Sequence, residues 1–112
     1  MKNNKVYVFD LDNTLCITKK NVDDKWDYVS SSPIRNRIDV VNKLYDEGNE
    51  IIIETARGSK SKKDWYEFTH NQLIEFGLKF HKLRSGVKFS ADYFIDDKGI
   101  NSDDFFSKFV EE

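Results

Sequence analysis

The chain has 112 residues and a formal net charge of −2, with 38% hydrophobic and 14% aromatic residues. That is one domain's length, with enough apolar surface to fold without disulfides or a structural metal cage, which excludes two domains and a disordered chain away from the ends. The near-neutral field, broken only by the short mixed patch Lys60-Ser61-Lys62-Lys63, gives no reason to expect nucleic acid as a partner, while a single cysteine, Cys16, and no exporting leader or long apolar run predict a soluble cytoplasmic protein without membrane contact.

Val6 to Phe9 is a continuous apolar and β-branched run, as expected of a strand buried on both faces of a parallel sheet. It runs straight into Asp10-Leu11-Asp12-Asn13-Thr14. From Cys16 to Ser31 the sequence turns polar and mixed, with Lys20-Asn21 in turn position between Ile17 and Val22. This predicts a flap (16–31), hairpin in form, beside the first strand's tip, with Trp26 and Tyr28 packing onto the domain.

Ser32-Pro33 then reads as a helix start, with Ser as cap and Pro in the first turn; Ile34, Ile38, Val41, Leu44 and Tyr45 recur at helical spacing, and Gly48 closes the segment. Ile51 to Ile53 is a second buried strand. A second helix is expected from Ser61 or Lys63, placing Trp65, Phe68, Leu73 and Phe76 on its core face before Gly77. Leu78 to Leu83 predicts an edge strand and Tyr93 to Ile95 a fourth strand ending in Asp96-Asp97. Ser102 to Phe109 predicts a terminal helix with Phe105, Phe106 and Phe109 facing inward. Strands alternating with helices imply parallel strands joined by right-handed crossovers, hence a single three-layer α/β domain over 1–112.

In an open parallel sheet, ligands bind outside the carboxyl ends of the strands. The residues there are Asp10 and Asp12, then Thr55 and Arg57, then Asp96 and Asp97. Four carboxylates in one crevice repel one another, and a hard divalent cation with oxygen ligands, Mg²⁺, is the simplest counter-charge.

These residues resemble the motifs of the haloacid dehalogenase superfamily of phosphotransferases. Its DxDxT stands here as Asp10-Leu11-Asp12-Asn13-Thr14, and its Thr or Ser after the second strand lies in Glu54-Thr55-Ala56-Arg57-Gly58. Its Lys-to-Asp-Asp segment resembles Lys88-Phe89-Ser90-Ala91-Asp92-Tyr93-Phe94-Ile95-Asp96-Asp97-Lys98, with Phe89 where small members often have Pro. The likeness extends from Val6 to about Phe105, and four motifs in order are far more specific than DxDxT alone.

The resemblance implies a Rossmann-like fold with a short parallel sheet in the order 4-1-2-3 and no cap domain, since the flap is short and Gly58 to Val87 holds only a helix and a strand. It implies a Mg²⁺-dependent phosphatase with Asp10 as nucleophile, forming an aspartyl-phosphate, and Asp12 as general acid and base. Thr55 and Lys88 would stabilise the phosphoryl oxygens, with Thr14 and Arg57 touching substrate. Asp10, the main-chain carbonyl of Asp12 and Asp96 would bind the metal directly, and Asp97 through water. Each has a plainer reading: Thr55 as a helix cap, Asp97 as a structural group, Arg57 as a loop brace, and Lys82 as the rival to Lys88.

Among small capless members the segments around Thr55 and Asp96 look most like capsule and lipopolysaccharide biosynthesis phosphatases, which points to a phosphorylated small molecule, a sugar phosphate. A capless crevice either stays open or borrows a neighbouring subunit as lid, so a homo-oligomer is an expectation. Two other classes compete. A polynucleotide 3′-phosphatase would want a basic groove, and Lys60, Lys62 and Lys63 are too few to make one. A non-enzymatic receiver-type module would place its phosphorylated Asp after a middle strand.

Overall fold

The structure is a computed structural model that describes residues 4–58, 64–86, 92–93 and 98–109. The first apolar run forms β1 (Val6–Asp10). The flap that follows is closed at its base by the antiparallel pair β2 (Cys16–Ile17) and β3 (Ser32–Pro33), with a further bridge between Lys20 and Trp26. Ser32-Pro33 therefore pairs with Cys16-Ile17 instead of opening a helix. Helix α1 (Arg35–Asp46) begins behind Ile34, which offers no side-chain cap.

Its other end behaves as the sequence predicts: Gly48, at φ 97°, donates its N–H to Tyr45 O in the left-handed conformation that glycine adopts without strain. There follow β4 (Glu50–Thr55), α2 (Tyr66–Glu75), β5 (Lys82–Ser85) and α3 (Ser102–Ser107). The second helix thus starts after Trp65; Ser61 and Lys63 lie outside the described residues. The edge strand begins at Lys82, four residues later than the apolar run predicts.

β1, β4 and β5 form one parallel sheet in that order, with Phe9 opposite Ile53 and Ile53 opposite Leu83. This is the 1-2-3 portion of the expected 4-1-2-3 order. Phe94 to Asp97, the greater part of the expected fourth strand and its acidic end, lies outside the described residues, as does Lys88.

Side chains alternate across a sheet. Phe9, Ile51, Ile53 and Leu83 point to one face, where they join Ile38, Val41 and Leu44 of α1, Leu73 of α2 and Phe106 of α3 in a single core. The other face carries Val6 and Val8, 60% and 57% exposed, beside the cross-strand pairs Lys82–Glu50 (3.6 Å) and Arg84–Glu54 (3.7 Å).

Two expectations are corrected here. The first strand is buried on one face, not two, and the described helices form one layer, not two. The cause is topological: β1→α1→β4 and β4→α2→β5 step across the sheet in the same direction, so right-handed crossovers put both helices on the same side. The third helix joins them because Phe105 packs edge-on or tilted against Phe9 and Tyr7 and Phe106 stacks on Phe9, at centroid distances of 5.8 to 6.2 Å. Phe109, expected inside, is 43% exposed, since the helix stops before bringing it round.

Among the described residues, no helix is long and apolar enough to cross a membrane.

Candidate active site at the strand tips

The parallel register brings three strand ends level. Asp10 sits opposite Glu54, and Thr55 opposite Ser85. Beyond β1 the chain folds back sharply because the N–H groups of Thr14, Leu15 and Cys16 all converge on Leu11 O, at 3.1, 2.8 and 3.3 Å. Leu11 and Leu15 are fully buried and pin this turn into the core. Asn13 occupies a left-handed φ of 63°, which Asn tolerates better than most residues, and its Oδ1 accepts the Thr18 N–H at 3.0 Å. DxDxT thus becomes a tight loop that holds Asp10, Asp12 and Thr14 at one place.

Within that loop Thr14 Oγ1 donates to Asp10 Oδ2 at 3.0 Å. Thr55 is buried at the end of β4, and its Oγ1 accepts the Arg57 N–H at 3.2 Å. Ser85 Oγ, at the end of β5, donates to Arg57 O at 3.0 Å. The loop after β4 is therefore fastened to both neighbouring strand ends.

Asp12 and Arg57 form the strongest electrostatic contact described. Arg57 Nη2 donates to Asp12 Oδ1 at 2.7 Å and Nε to Oδ2 at 3.0 Å, the parallel fork that guanidinium and carboxylate make best. The Arg57 side chain is fully buried and that of Asp12 is 20% exposed. Burying a cation so deeply is costly unless each N–H finds an acceptor. Here Nη1 donates to Thr69 Oγ1 at 3.2 Å and Gln72 Oε1 at 2.8 Å, both on α2, and Nη2 also reaches Ser31 Oγ at 3.4 Å. Below the guanidinium lies the Tyr28 ring, 4.5 Å away. Thr18 Oγ1 adds a 2.6 Å hydrogen bond to Asp12 Oδ1, and Ser31 Oγ in turn lies 2.6 Å from Thr18 Oγ1. Since Thr18 spends its proton on the carboxylate, Ser31 is the donor to Thr18.

The flap is seated by these contacts. Tyr28 packs edge-on against Trp65 at 5.0 Å, and Gln72 Nε2 donates to Tyr28 O at 2.8 Å. Burial raises the Tyr28 hydroxyl above its ordinary value, helped by the Asp12 charge and opposed by Arg57. Burial likewise pushes the Cys16 thiol up to about 11, although Thr18 works against it. Trp26 lies further out, half exposed, with Lys20 Nζ 5.2 Å from its ring centre. A cavity on this outer side is lined by Ile17, Lys19, Lys20, Asp27, Ser30 and Ser32, so that its charges are mixed.

The sequence-predicted residues Asp10, Asp12, Thr14, Thr55 and Arg57 are thus brought together; Lys88, Asp96 and Asp97 lie outside the described residues. Among the described residues no group of three acidic, His or Cys side chains surrounds a common point. The oxygen donors available at the β1 tip nevertheless suit a hard cation. Asp12's carboxylate is committed to Arg57 and Thr18, so the oxygen this residue could offer a cation is its main-chain carbonyl, with the Asp10 carboxylate as the other. Thr18, Ser31, Thr69 and Gln72 were not legible as site residues. Thr69 and Gln72 did leave a signal, being polar positions three apart that interrupt the apolar stripe of α2, where both are buried.

A sequence model of the polynucleotide kinase 3 phosphatase family matches residues 5–102. Among solved structures, the chain is similar to a crystallised target protein from Vibrio cholerae, with a TM-score of 0.75 and 23% identity over 96% of this chain and 91% of that one. That likeness is one of fold. A 12% identical structure described as a 3-deoxy-D-manno-octulosonate 8-phosphate phosphatase, also from Vibrio cholerae, matches with a TM-score of 0.42 over 97% of this chain and 50% of that one. No curated protein sequence matches the chain.

Proposed function

We propose, since the chain belongs to the polynucleotide kinase 3 phosphatase family and is thus a phosphatase of the haloacid dehalogenase type, that it hydrolyses phosphomonoesters with Mg²⁺ through an aspartyl-phosphate on Asp10. The observation that carries this reading is the placement of Asp10 at the tip of β1, oriented by Thr14 and set beside Asp12 at the carboxyl edge of the sheet.

An Asp10 carboxylate oxygen forms the new bond to phosphorus while the bond to the ester oxygen breaks, and the departing oxygen takes its proton from Asp12. Water then attacks phosphorus, giving its proton back to Asp12 and releasing phosphate as the Asp10 carboxylate is restored. The Thr55 hydroxyl and Lys88 stabilise the phosphoryl oxygens on which negative charge is redistributed. Asp10, the Asp12 carbonyl and Asp96, with Asp97 through water, would hold Mg²⁺, which would offset the negative charge of the nucleophile and the phosphoryl group.

The substrate is read first as a small phosphorylated metabolite such as a sugar phosphate, in keeping with the capsule and lipopolysaccharide likeness of the motifs and the net charge of −2. A second reading, a polynucleotide 3′-phosphate, is favoured by the family match over residues 5–102. Phosphate release from sugar phosphates, nucleotides and 3′-phosphorylated oligonucleotides, measured with Mg²⁺ and with a chelator, separates the two. Asp10→Asn should abolish release while leaving the circular dichroism spectrum unchanged. Substantial turnover by that variant would refute the nucleophile assignment.

A further inference from the structure

We infer that Arg57 is a positioning residue for the acid–base step: it does not bind substrate but sets the direction of the Asp12 carboxyl, and is itself held by Thr69 and Gln72. The inference rests on the reading of Asp12 given above. Arg57 carries five N–H groups, and five acceptors take them: both carboxylate oxygens of Asp12, then Ser31 Oγ, Thr69 Oγ1 and Gln72 Oε1. No donor remains for a phosphoryl oxygen, and the side chain is fully buried. The carboxylate is therefore held in one plane by two parallel hydrogen bonds.

A carboxyl group in one plane presents its remaining lone pairs, or its proton, in fixed directions. Proton delivery to a departing oxygen depends on that direction, as rates fall steeply when the donor is misaligned. The fork is anchored at its far end, since Nη1 is gripped by two side chains from successive inward positions of α2. The Tyr28 ring closes the remaining side. The arrangement transmits the rigidity of a core helix to a side chain at the crevice.

The test compares two esters. An alkyl phosphate needs a proton on its leaving oxygen, whereas 2,4-dinitrophenyl phosphate expels an oxygen stable as an anion. Arg57→Lys keeps the charge but not the fork. It should lower kcat/KM, which reports only the steps through departure of the ester oxygen and not the later hydrolysis common to both esters, by about 100-fold for the alkyl ester and by no more than about 3-fold for the dinitrophenyl ester, the difference being the general-acid contribution. Gln72→Met leaves the fork on Asp12 and removes one of the two acceptors on Nη1, together with the Gln72 Nε2–Tyr28 O hydrogen bond; it should show the same selectivity at about 10-fold, and it decides the matter if Arg57→Lys does not fold. Equal losses on the two esters, or an undiminished alkyl rate, would overturn the positioning role while leaving the phosphatase reading intact. If the unmodified protein hydrolyses neither ester, the phosphatase reading fails and the inference goes with it.

Discussion

Thr14 Oγ1 stands 3.0 Å from Asp10 Oδ2, so the last residue of DxDxT orients the first. Hydrogen bonds to charged groups contribute roughly 1.5–3 kcal/mol, and about 1.4 kcal/mol is a factor of ten in rate. Thr14→Val keeps the shape and removes the donor. Steady-state kinetics should show kcat reduced about tenfold or more with little change in KM; an unchanged kcat would mean the hydroxyl does nothing for the nucleophile.

Mg²⁺ binding at the β1 tip should be visible without turnover. A ligand that binds only the folded state stabilises it by mass action. The melting temperature of chelator-treated protein should therefore rise on adding Mg²⁺, and Asp10→Asn should lose most of that rise. An equal rise in both proteins would place the cation elsewhere.

Asn49 is a structural counterpart to these site residues. It is 1% exposed; its Oδ1 accepts the Lys5 N–H and its Nδ2 donates to Leu44 O, each at 3.0 Å, tying the start of β1 to the end of α1. Asn49→Ala takes the acceptor from the Lys5 N–H and one of two donors from Leu44 O, which keeps the main-chain N–H of residue 49. Urea unfolding should show a loss of about 1–2 kcal/mol with an unchanged m-value, and a loss below about 0.5 kcal/mol would contradict the bridge's importance.

The Cys16 thiol is fully buried and pushed up from 9.0 to about 11. A group whose folded value is raised contributes stability that is present below its unfolded value and lost as pH climbs through the folded one. Stability should thus decline between about pH 9.0 and 11, and Cys16→Ala should flatten part of that decline; Tyr28, raised in the same direction, accounts for more of it at higher pH. A pH profile identical in the variant would show that the thiol plays no part. Reaction of Cys16 with a thiol reagent at pH 8 should be slow in the folded protein and fast in urea.

Much of this architecture is legible in the sequence, for identifiable reasons. Val6 to Phe9 and Ile51 to Ile53 are apolar runs that only strands of this length suit, and Ile38, Val41 and Leu44 repeat with the period of α1. What escaped was decided by tertiary pairing. Ser32-Pro33 has the chemistry of a helix start, but the chain pairs it with Cys16-Ile17 and closes the flap. The clamp on Asp12 escaped because its members stand far apart along the chain: Arg57 is 45 residues from Asp12, 26 from Ser31 and 15 from Gln72. Short polar side chains have no periodicity to announce such a meeting. The open sheet face was hidden for a related reason, since a run of β-branched residues looks the same whether one side or both are covered.

The bare side of the sheet also gives the molecule a handle. Val6, Val8 and the paired charges on β4 and β5 sit in the sheet, and none of the described helices rests on them. A fluorophore or an attachment point introduced at Val8 would ride on a strand paired along its whole length with β4, without pressing on the packing that supports the crevice. Chemistry at the strand tips could then be followed on single tethered molecules.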